Sequence, residues 1–226
     1  MNPLFEVALW GVTIPDTVFI TIAVTLLLTG LGALASRRLK SHGLSRWQTV
    51  VELYCGWIRG TIRDVFGEDP TPYVPLVGTL ILFIGVCNLL SVLPMVRPPT
   101  ADLNTALALA LVVMGAVPFF GIRRHGLWGY LRTYVRPHPL LLPLNLLGEV
   151  TRTLALAIRL FGNVMSGQMI GAIMVLVAGA LVPVPLMILG VLTGLIQAYI
   201  FGVLAAVFIA AAVQVDVRRH KEVHDG

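Results

Sequence analysis

One arginine at the start of a long charge-free run constrains this chain more than any other feature of its sequence. After Arg159 no Asp, Glu, Lys or Arg occurs until Asp216, which leaves 56 uncharged positions in succession. Arg159 itself lies in the apolar stretch Leu154–Asn163. An arginine beside such a run is expected at membrane depth, where a cation costs at least about 2.5–3.5 kcal/mol. The residue must therefore either pair with an anion or be central to the function of the chain.

The composition is that of a membrane protein. The chain is 57% hydrophobic and 12% charged over 226 residues, whereas a soluble domain has about 25% charged residues. Its 16 Lys and Arg residues exceed its 11 Asp and Glu residues, but they lie between apolar runs, as in loops that orient a membrane protein. Cys55 and Cys87 have no metal or redox spacing. We expect a lipid bilayer around the chain, and no nucleic acid, metal or cofactor.

The apolar runs predict an all-α polytopic membrane protein with about five membrane-embedded helices in a single membrane domain, residues 1–226. Three runs, 17–35, 73–93 and 105–122, have the length of ordinary spans. We expect a basic loop with prolines to follow the third. Residues 45–66 instead place apolar residues at helical spacing between charges, which predicts an interfacial amphipathic helix. A helix packed under a partner subunit is an equal alternative.

The last two apolar segments are too long for upright spans. Residues 140–182 would form a helix of about 65 Å, twice the hydrocarbon thickness. Residues 185–213 would reach about 44 Å, and Pro183 and Pro185 mark the reversal between the two. Strong tilt absorbs such excess length. We predict a long tilted hairpin whose first helix carries Arg159, and the Lys and Arg of the loops place the N-terminus outside and the tail 214–226 in the cytoplasm.

The polar residues of the hairpin form two stripes. On an ideal helix, one face contains Arg152, Arg159, Asn163 and Ser166, with Gln168 opposite. A second stripe contains Gly190, Gly194, Gln197 and Phe201, and its two glycines permit close helix packing. If the helices pair antiparallel around Pro183, Arg159 and Gln197 come near each other, although their distances from the turn agree only roughly.

No carboxylate within the hairpin suits Arg159. Glu149 is ten positions earlier, about 80° away around the helix, and closer to its i+3 neighbour Arg152. Because an arginine stays protonated at any working pH, Arg159 is suited to act as a fixed charge that favours the ionised form of a nearby carboxylate. That carboxylate would belong to another chain. The alternatives are that water reaches Arg159, that it snorkels to the interface or that it pairs internally.

Three segments, Ala157–Gly167, Leu195–Phe201 and Pro98–Thr105, resemble subunit a of the rotary F-type ATP synthases. The resemblance extends over about residues 70–213 and is most specific at Arg159–Asn163. It implies a non-catalytic stator of the membrane Fo sector, beside the c-ring, with two ion half-channels. The implied partners are the c-ring, b-type peripheral stalk subunits and the remainder of the F1Fo complex, and the implied location is a bacterial plasma membrane.

The resemblance also assigns roles to individual residues. Arg159 would face the c-ring and make the ion-binding carboxylate of each passing c subunit release its ion, coupling H⁺ or Na⁺ transport to rotation. Asn163 and Gln197 would line or support this region, unless they form only ordinary hydrogen bonds between helices. The candidates for half-channel lining are Gln168, Glu149, Arg152, Asp102, Asn104, Ser166 and Gly190.

Three of these candidates have alternatives. Asp102 and Asn104 would form the outer channel mouth or cap a helix. Glu149 would lie in the cytoplasmic entrance or pair with Arg152.

The chain departs from the family at two positions. Many members have a carboxylate where this chain has Gln168 and a histidine where it has Gly190. All five histidines lie outside the predicted spans. Proton relay by side chains is therefore not expected here, and either water alone carries the ion or the coupling ion is Na⁺. The competing functions are a stand-alone secondary transporter and a structural membrane anchor. Against a transporter, the chain has no internal repeats and no carboxylate site for a coupling ion.

Overall fold

The computed structural model describes residues 7–9, 12–14, 16–38, 46–67, 69–91, 98–135, 142–179 and 183–213. The predicted tail, 214–226, lies outside these ranges. The helices are α1 (Asp16–Arg38), α2 (Arg46–Phe66), α3 (Val74–Leu90), α4 (Leu103–Val135), α5 (Leu142–Ala178) and α6 (Pro183–Val213), with a 3₁₀ turn at Pro99–Ala101.

The prediction of an all-helical polytopic membrane protein is confirmed. In the described part of the chain, α1, α4, α5 and α6 are long and apolar enough to cross a membrane, and α3 is a shorter apolar helix of 17 residues. A short antiparallel hairpin, β1 (Val7–Leu9) and β2 (Val12–Ile14), precedes α1 and was not predicted. Helix α5 has 37 residues, or about 55 Å. Gly179, with φ 75°, follows its last residue as helix-ending glycines often do.

The loop expected after the third span does not begin directly after Ile122, and its residues 136–139 lie outside the described ranges. Helical structure continues past Ile122 to Val135, and the change of direction occurs at Gly126, whose φ of 72° lies in the left-handed region. Beyond this kink the buried ring of Tyr130 packs on Gly121, since a Cβ there would lie 2.5 Å from the ring. In sequence, the basic residues and glycines after Ile122 resemble a loop. Only the tertiary contact of Tyr130 with Gly121 decides where the helical segment beyond the kink lies.

Helix α6 is the centre of the bundle. Its buried residues take part in both apolar clusters of the described chain, one with α2, α3 and α4 and the other with α3, α4 and α5. Small side chains, among them Ala198, Ala205 and Ala206, form much of this surface. Small residues allow helices in a membrane to approach closely and gain van der Waals contact, because lipid provides no hydrophobic driving force between them.

The contact between α6 and α3 is the closest of these. A Cβ at Gly202 would lie 2.2 Å from Cγ1 of Ile81, and a Cβ at Gly194 would lie 3.0 Å from Cβ of Asn88. A Cβ at Gly202 would overlap Ile81, and a Cβ at Gly194 would require Asn88 to shift by a few tenths of an ångström. The two glycines are eight residues apart and therefore on similar sides of α6, so α6 lies against α3 along two turns of backbone.

Helix α2 packs one apolar face on its own chain and leaves another exposed. Ile58 and Ile62 are buried in the cluster with α3 and α6, and the hydroxyl of Tyr54 donates a hydrogen bond of 2.7 Å to the carbonyl of Gly78. Burial, with a smaller contribution from Cys55, raises the pKa of Tyr54 to about 12, so the hydroxyl keeps its proton. Leu53 is exposed on the other side. This second face suits an interfacial position.

The substitution Gly202→Ala tests the α3–α6 contact. Because the added methyl would overlap Ile81, we expect the free energy of unfolding to fall by about 1–3 kcal/mol. The measurement is thermal unfolding in detergent. Gly115→Ala is the control, since no atom lies within 4 Å of its Cβ position. The second substitution Ile81→Ala should recover part of the loss; equal unfolding of the two glycine variants would contradict this packing.

Candidate functional site

Arg159 lies on the surface of the helical bundle and not in its core. Its neighbours Leu156, Ala157 and Leu160 are buried against α3, α4 and α6, whereas Arg159 and Ile158 are exposed. Within the residues that the structure describes, the guanidinium of Arg159 forms no ion pair or hydrogen bond. The cation of Arg159 therefore lies on an outer face of α5, with no anionic partner among the described residues.

Two contacts between α5 and α6 bracket Arg159. On one side the guanidinium carbon of Arg152 lies 4.7 Å from the centre of the Phe208 ring, a cation–π contact. On the other side Asn163 Nδ2 donates a 3.4 Å hydrogen bond to the carbonyl of Thr193. Interpolation between these contacts puts Arg159 level with about residue 198 of α6, within one turn of Gln197. Arg159 and Gln197 thus lie at about the same level of the hairpin, and no contact between their side chains is described.

Gln197 has a buried donor that is not used within the described chain. The residue is 6% exposed, and its Nε2 has no hydrogen-bond partner among the described residues. Most buried side-chain polar atoms are hydrogen-bonded to protein or to ordered water, and each exception needs a specific explanation. An orphan amide at the level of Arg159 is therefore a second sign that this part of the hairpin meets water or another chain.

The other predicted residues of the hairpin form less of a site. Ser166 Oγ donates to the carbonyl of Asn163 at 3.2 Å and is exposed. Gln168 is half-buried and makes no hydrogen bond within the described residues. A Cβ at Gly190 would meet open space, whereas the nearest atoms to a Cβ at Gly194 belong to Asn88 of α3. The structure does not join Gln168 to Gly190 by any contact it describes.

Glu149 and Arg152 line one small pocket near the start of α5. The pocket also contains Thr153 of α5, Phe208 of α6 and residues of α4. Thr153 Oγ1 donates to the carbonyl of Glu149 at 2.9 Å. The ring of Phe208 is the contact that the structure describes for the guanidinium of Arg152. Both residues therefore lie close to Phe208, whereas Asn163 contacts Thr193 farther along the hairpin; the surface between these two contacts is called the α5–α6 seam below.

Asp102 acts as a helix cap. Its Oδ1 accepts a 3.1 Å hydrogen bond from the backbone N–H of Asn104, and its Oδ2 accepts one of 3.0 Å from Thr17 Oγ1 on α1. The carboxylate thus satisfies a free N–H at the start of α4 and ties α1 to the bundle. Of the two alternatives for Asp102, the described contacts are those of capping. A role in an outer channel mouth stays a prediction.

Asn88 and Thr100 are polar residues that the sequence reasoning missed. Asn88 is 1% exposed and Thr100 is fully buried. Thr100 Oγ1 donates to Asn88 Oδ1 at 2.8 Å, and Asn88 Nδ2 donates to the carbonyl of Gly194 at 2.7 Å. The signal that could have found them is an asparagine within the apolar run 73–93, since polar residues at membrane depth usually join helices or serve a function.

The fold and this surface together define a class: a multi-pass helical membrane protein that presents an arginine at the apolar face of a long hairpin. A sequence profile described as ATP synthase A chain matches residues 17–210. "ATP synthase subunit a 1" of Chlorobaculum parvum is 49% identical over 211 residues, which are 92% of this chain and 93% of that protein. "ATP synthase subunit a 2" of Acaryochloris marina is 49% identical over 181 residues, 80% of this chain and 77% of that one. "ATP synthase subunit a" of Nitrosospira multiformis is 49% identical over 187 residues, 83% and 74%.

The chain belongs to the ATP synthase A chain family, that is, subunit a of the F-type ATP synthases. The resemblance seen in the sequence is thereby confirmed. The protein is a stator subunit of the membrane Fo sector and takes part in ion transport and ATP synthesis within the F1Fo complex. A stand-alone transporter and a simple anchor are accordingly set aside.

Substitution of Asp102 separates capping from a channel role. Asp102→Ala should lower the free energy of unfolding by about 1 kcal/mol, because the cap of α4 is lost. Asp102→Ser should keep most of the stability, since a serine hydroxyl also caps. Thermal unfolding measures both. If Asp102→Ser assembled normally but abolished ion transport, the carboxylate would be required for more than capping.

Proposed function

We propose that Arg159 is the fixed charge against which a ring of partner subunits turns, and that the described α5–α6 seam forms the stator side of the ion path. The observation that carries this proposal is the exposed guanidinium of Arg159 on an apolar face, without a partner in the described part of the chain. Removing a charge from water without a counter-charge is costly, so an anion from another chain is the expected complement.

The chemistry of arginine fits this role. Its guanidinium remains protonated at working pH, so it does not relay protons. An opposite charge within about 4–6 Å lowers the pKa of a carboxylate by 1–3 units. A ring carboxylate that arrives at Arg159 would therefore ionise and release its ion, and the same positive charge would repel cations that leak directly between the two half-channels.

Gln197 and Asn163 support the same location. The unpartnered Nε2 of Gln197 lies at about the level of Arg159 on the neighbouring helix. Asn163 closes the α5–α6 seam one turn away. The remaining candidates would line the two half-channels: Glu149 and Arg152 towards the cytoplasm, and Asp102, Asn104, Ser166, Gln168 and Gly190 towards the outside.

The rest of the assembly follows from the same proposal. The chain would have its N-terminus outside a bacterial plasma membrane and its C-terminus in the cytoplasm, with the c-ring against α5 and b-type stalk subunits elsewhere on the bundle. The exposed apolar face of α2 would lie in the membrane interface or under such a partner. The coupling ion is H⁺ or Na⁺. The non-titratable residues Gln168 and Gly190 support a path without side-chain proton relay.

Replacement of Arg159 tests the central claim. In assembled F1Fo complexes in vesicles, Arg159→Gln should abolish ATP-driven ion uptake, because the ring carboxylate loses the charge that favours its ionised form. Uptake is measured per assembled complex. Arg123→Gln, an exposed arginine of α4, is the matched control and should transport normally. Coupled transport retained by assembled Arg159→Gln complexes would refute the proposal.

The coupling ion is identified in the same vesicles. ATP-driven uptake of labelled Na⁺ is compared with acidification of the lumen, each with and without an uncoupler. Accumulation of Na⁺ that survives the uncoupler identifies sodium. Acidification that the uncoupler abolishes, without Na⁺ uptake, identifies protons.

A further inference from the structure

We propose that Asn88 is a positioning residue for Gln197: its amide fastens α6 to α3 at the turn before Gln197 and so sets where the buried amide of Gln197 points. This inference rests on the proposed function, because it concerns how the stator side of the ion path is held in shape. Asn88, Thr100 and Gly194 are called the α3–α6 clamp below.

The clamp is fully buried, and both amide atoms of Asn88 are used within the chain. Nδ2 donates to the carbonyl of Gly194 at 2.7 Å, and Oδ1 accepts from Thr100 Oγ1 at 2.8 Å. The carbonyl of Gly194 can only accept a hydrogen bond, so a flipped amide would bring two acceptors together. The orientation of Asn88 is therefore determined. Because its polar atoms are satisfied, Asn88 acts on the path through α6 and not by contact with the ion.

The glycine at position 194 makes this contact possible. A Cβ there would lie 3.0 Å from Cβ and 3.3 Å from Cγ of Asn88. Asn88 thus reaches the backbone of α6 directly. The 3₁₀ turn that supplies Thr100 is itself held in place, since Pro98 and Pro99 are also buried. The side-chain amide of Asn88 thus joins three separate segments: α3, the 3₁₀ turn and α6.

The same turn of α6 is also bonded by a residue of α5. Asn163 Nδ2 on α5 donates to the carbonyl of Thr193 at 3.4 Å. In an α-helix the carbonyls of residues 193 and 194 accept the N–H groups of residues 197 and 198. The side-chain amides of Asn88 and Asn163 therefore donate hydrogen bonds to two carbonyls in the turn of α6 that ends at Gln197. A rotation of α6 by one residue would turn Gln197 through about 100° and break both bonds.

These two hydrogen bonds fix the position of Gln197, whose side chain carries an unsatisfied donor. Gln197 Nε2 is buried and has no partner in the described part of the chain. A group that must meet water or a moving partner needs a fixed direction, since a small misplacement of a functional group costs much of its effect. The clamp supplies this direction from outside the α5–α6 seam.

A double-mutant cycle tests whether Asn88 acts through Gln197. ATP-driven ion uptake is measured per assembled F1Fo complex for Asn88→Leu, Gln197→Leu and the double variant. If each single change lowers the rate by about tenfold, we expect the double variant to lose about tenfold and not a hundredfold, because coupled residues are non-additive. Losses that multiply, or an Asn88→Leu complex with the unaltered rate, would overturn the proposal. Ser91→Ala is the control. The Ser91 hydroxyl donates to the backbone carbonyl of Asn88, so its removal leaves the side-chain bonds of the clamp intact.

A milder pair of substitutions decides the matter if Asn88→Leu does not assemble. Thr100→Val keeps the shape of the side chain but removes the donor to Asn88 Oδ1. Thr100→Ser keeps the donor. We expect reduced uptake per assembled complex for the valine variant and recovery for the serine variant. Equal rates for the two variants would show that the hydrogen bond has no part in transport. The proposed function itself fails only if Arg159→Gln complexes remain coupled, so the two failures are distinguishable.

Discussion

The close packing of α6 on α3 is the contact on which the rest of this structure depends. The side chains of Ile81 and Asn88 on α3 pack directly on the backbone of α6 at Gly202 and Gly194. In a bilayer, where lipid is as apolar as the helices, such backbone proximity and the hydrogen bonds it permits stabilise a bundle. Helix α6 then joins both apolar clusters and provides the surface on which α2, α4 and α5 pack.

The position of Arg159 follows from that arrangement. Leu156, Ala157 and Leu160 bury one side of α5, so the arginine is left at the edge of the bundle. The contacts of Arg152 with Phe208 and of Asn163 with Thr193 then bring Arg159 level with Gln197. The cation of Arg159 and the unsatisfied amide of Gln197 therefore lie at about one level of an apolar surface. Membership in the ATP synthase A chain family makes the chain a stator subunit of the Fo sector, and we propose that this surface is the stator side of its ion path.

Much of the fold could be predicted from apolar runs, because a helix that crosses a membrane must satisfy its backbone internally and needs a minimum length. What could not be predicted depends on contacts between distant segments. The helical segment after Ile122 resembles a loop in sequence, since basic residues and glycines are ordinary loop residues. The packing of Tyr130 on Gly121 is not visible in the sequence. Asn88 was passed over as one polar residue in an apolar run, because its partners Thr100 and Gly194 are 12 and 106 positions away.

The sequence alone determined that this is a helical membrane protein, that its last two helices form a long hairpin and that Arg159 has no carboxylate partner within that hairpin. Composition and spacing suffice for these statements, since the bilayer admits few solutions. Only the tertiary structure decided that Gly194 packs on α3, that Asp102 caps α4 and that Asn88 and Asn163 hold the turn before Gln197. These contacts depend on how one helix is rotated against another, and helix periodicity defines which residues share a face without defining which neighbour that face meets.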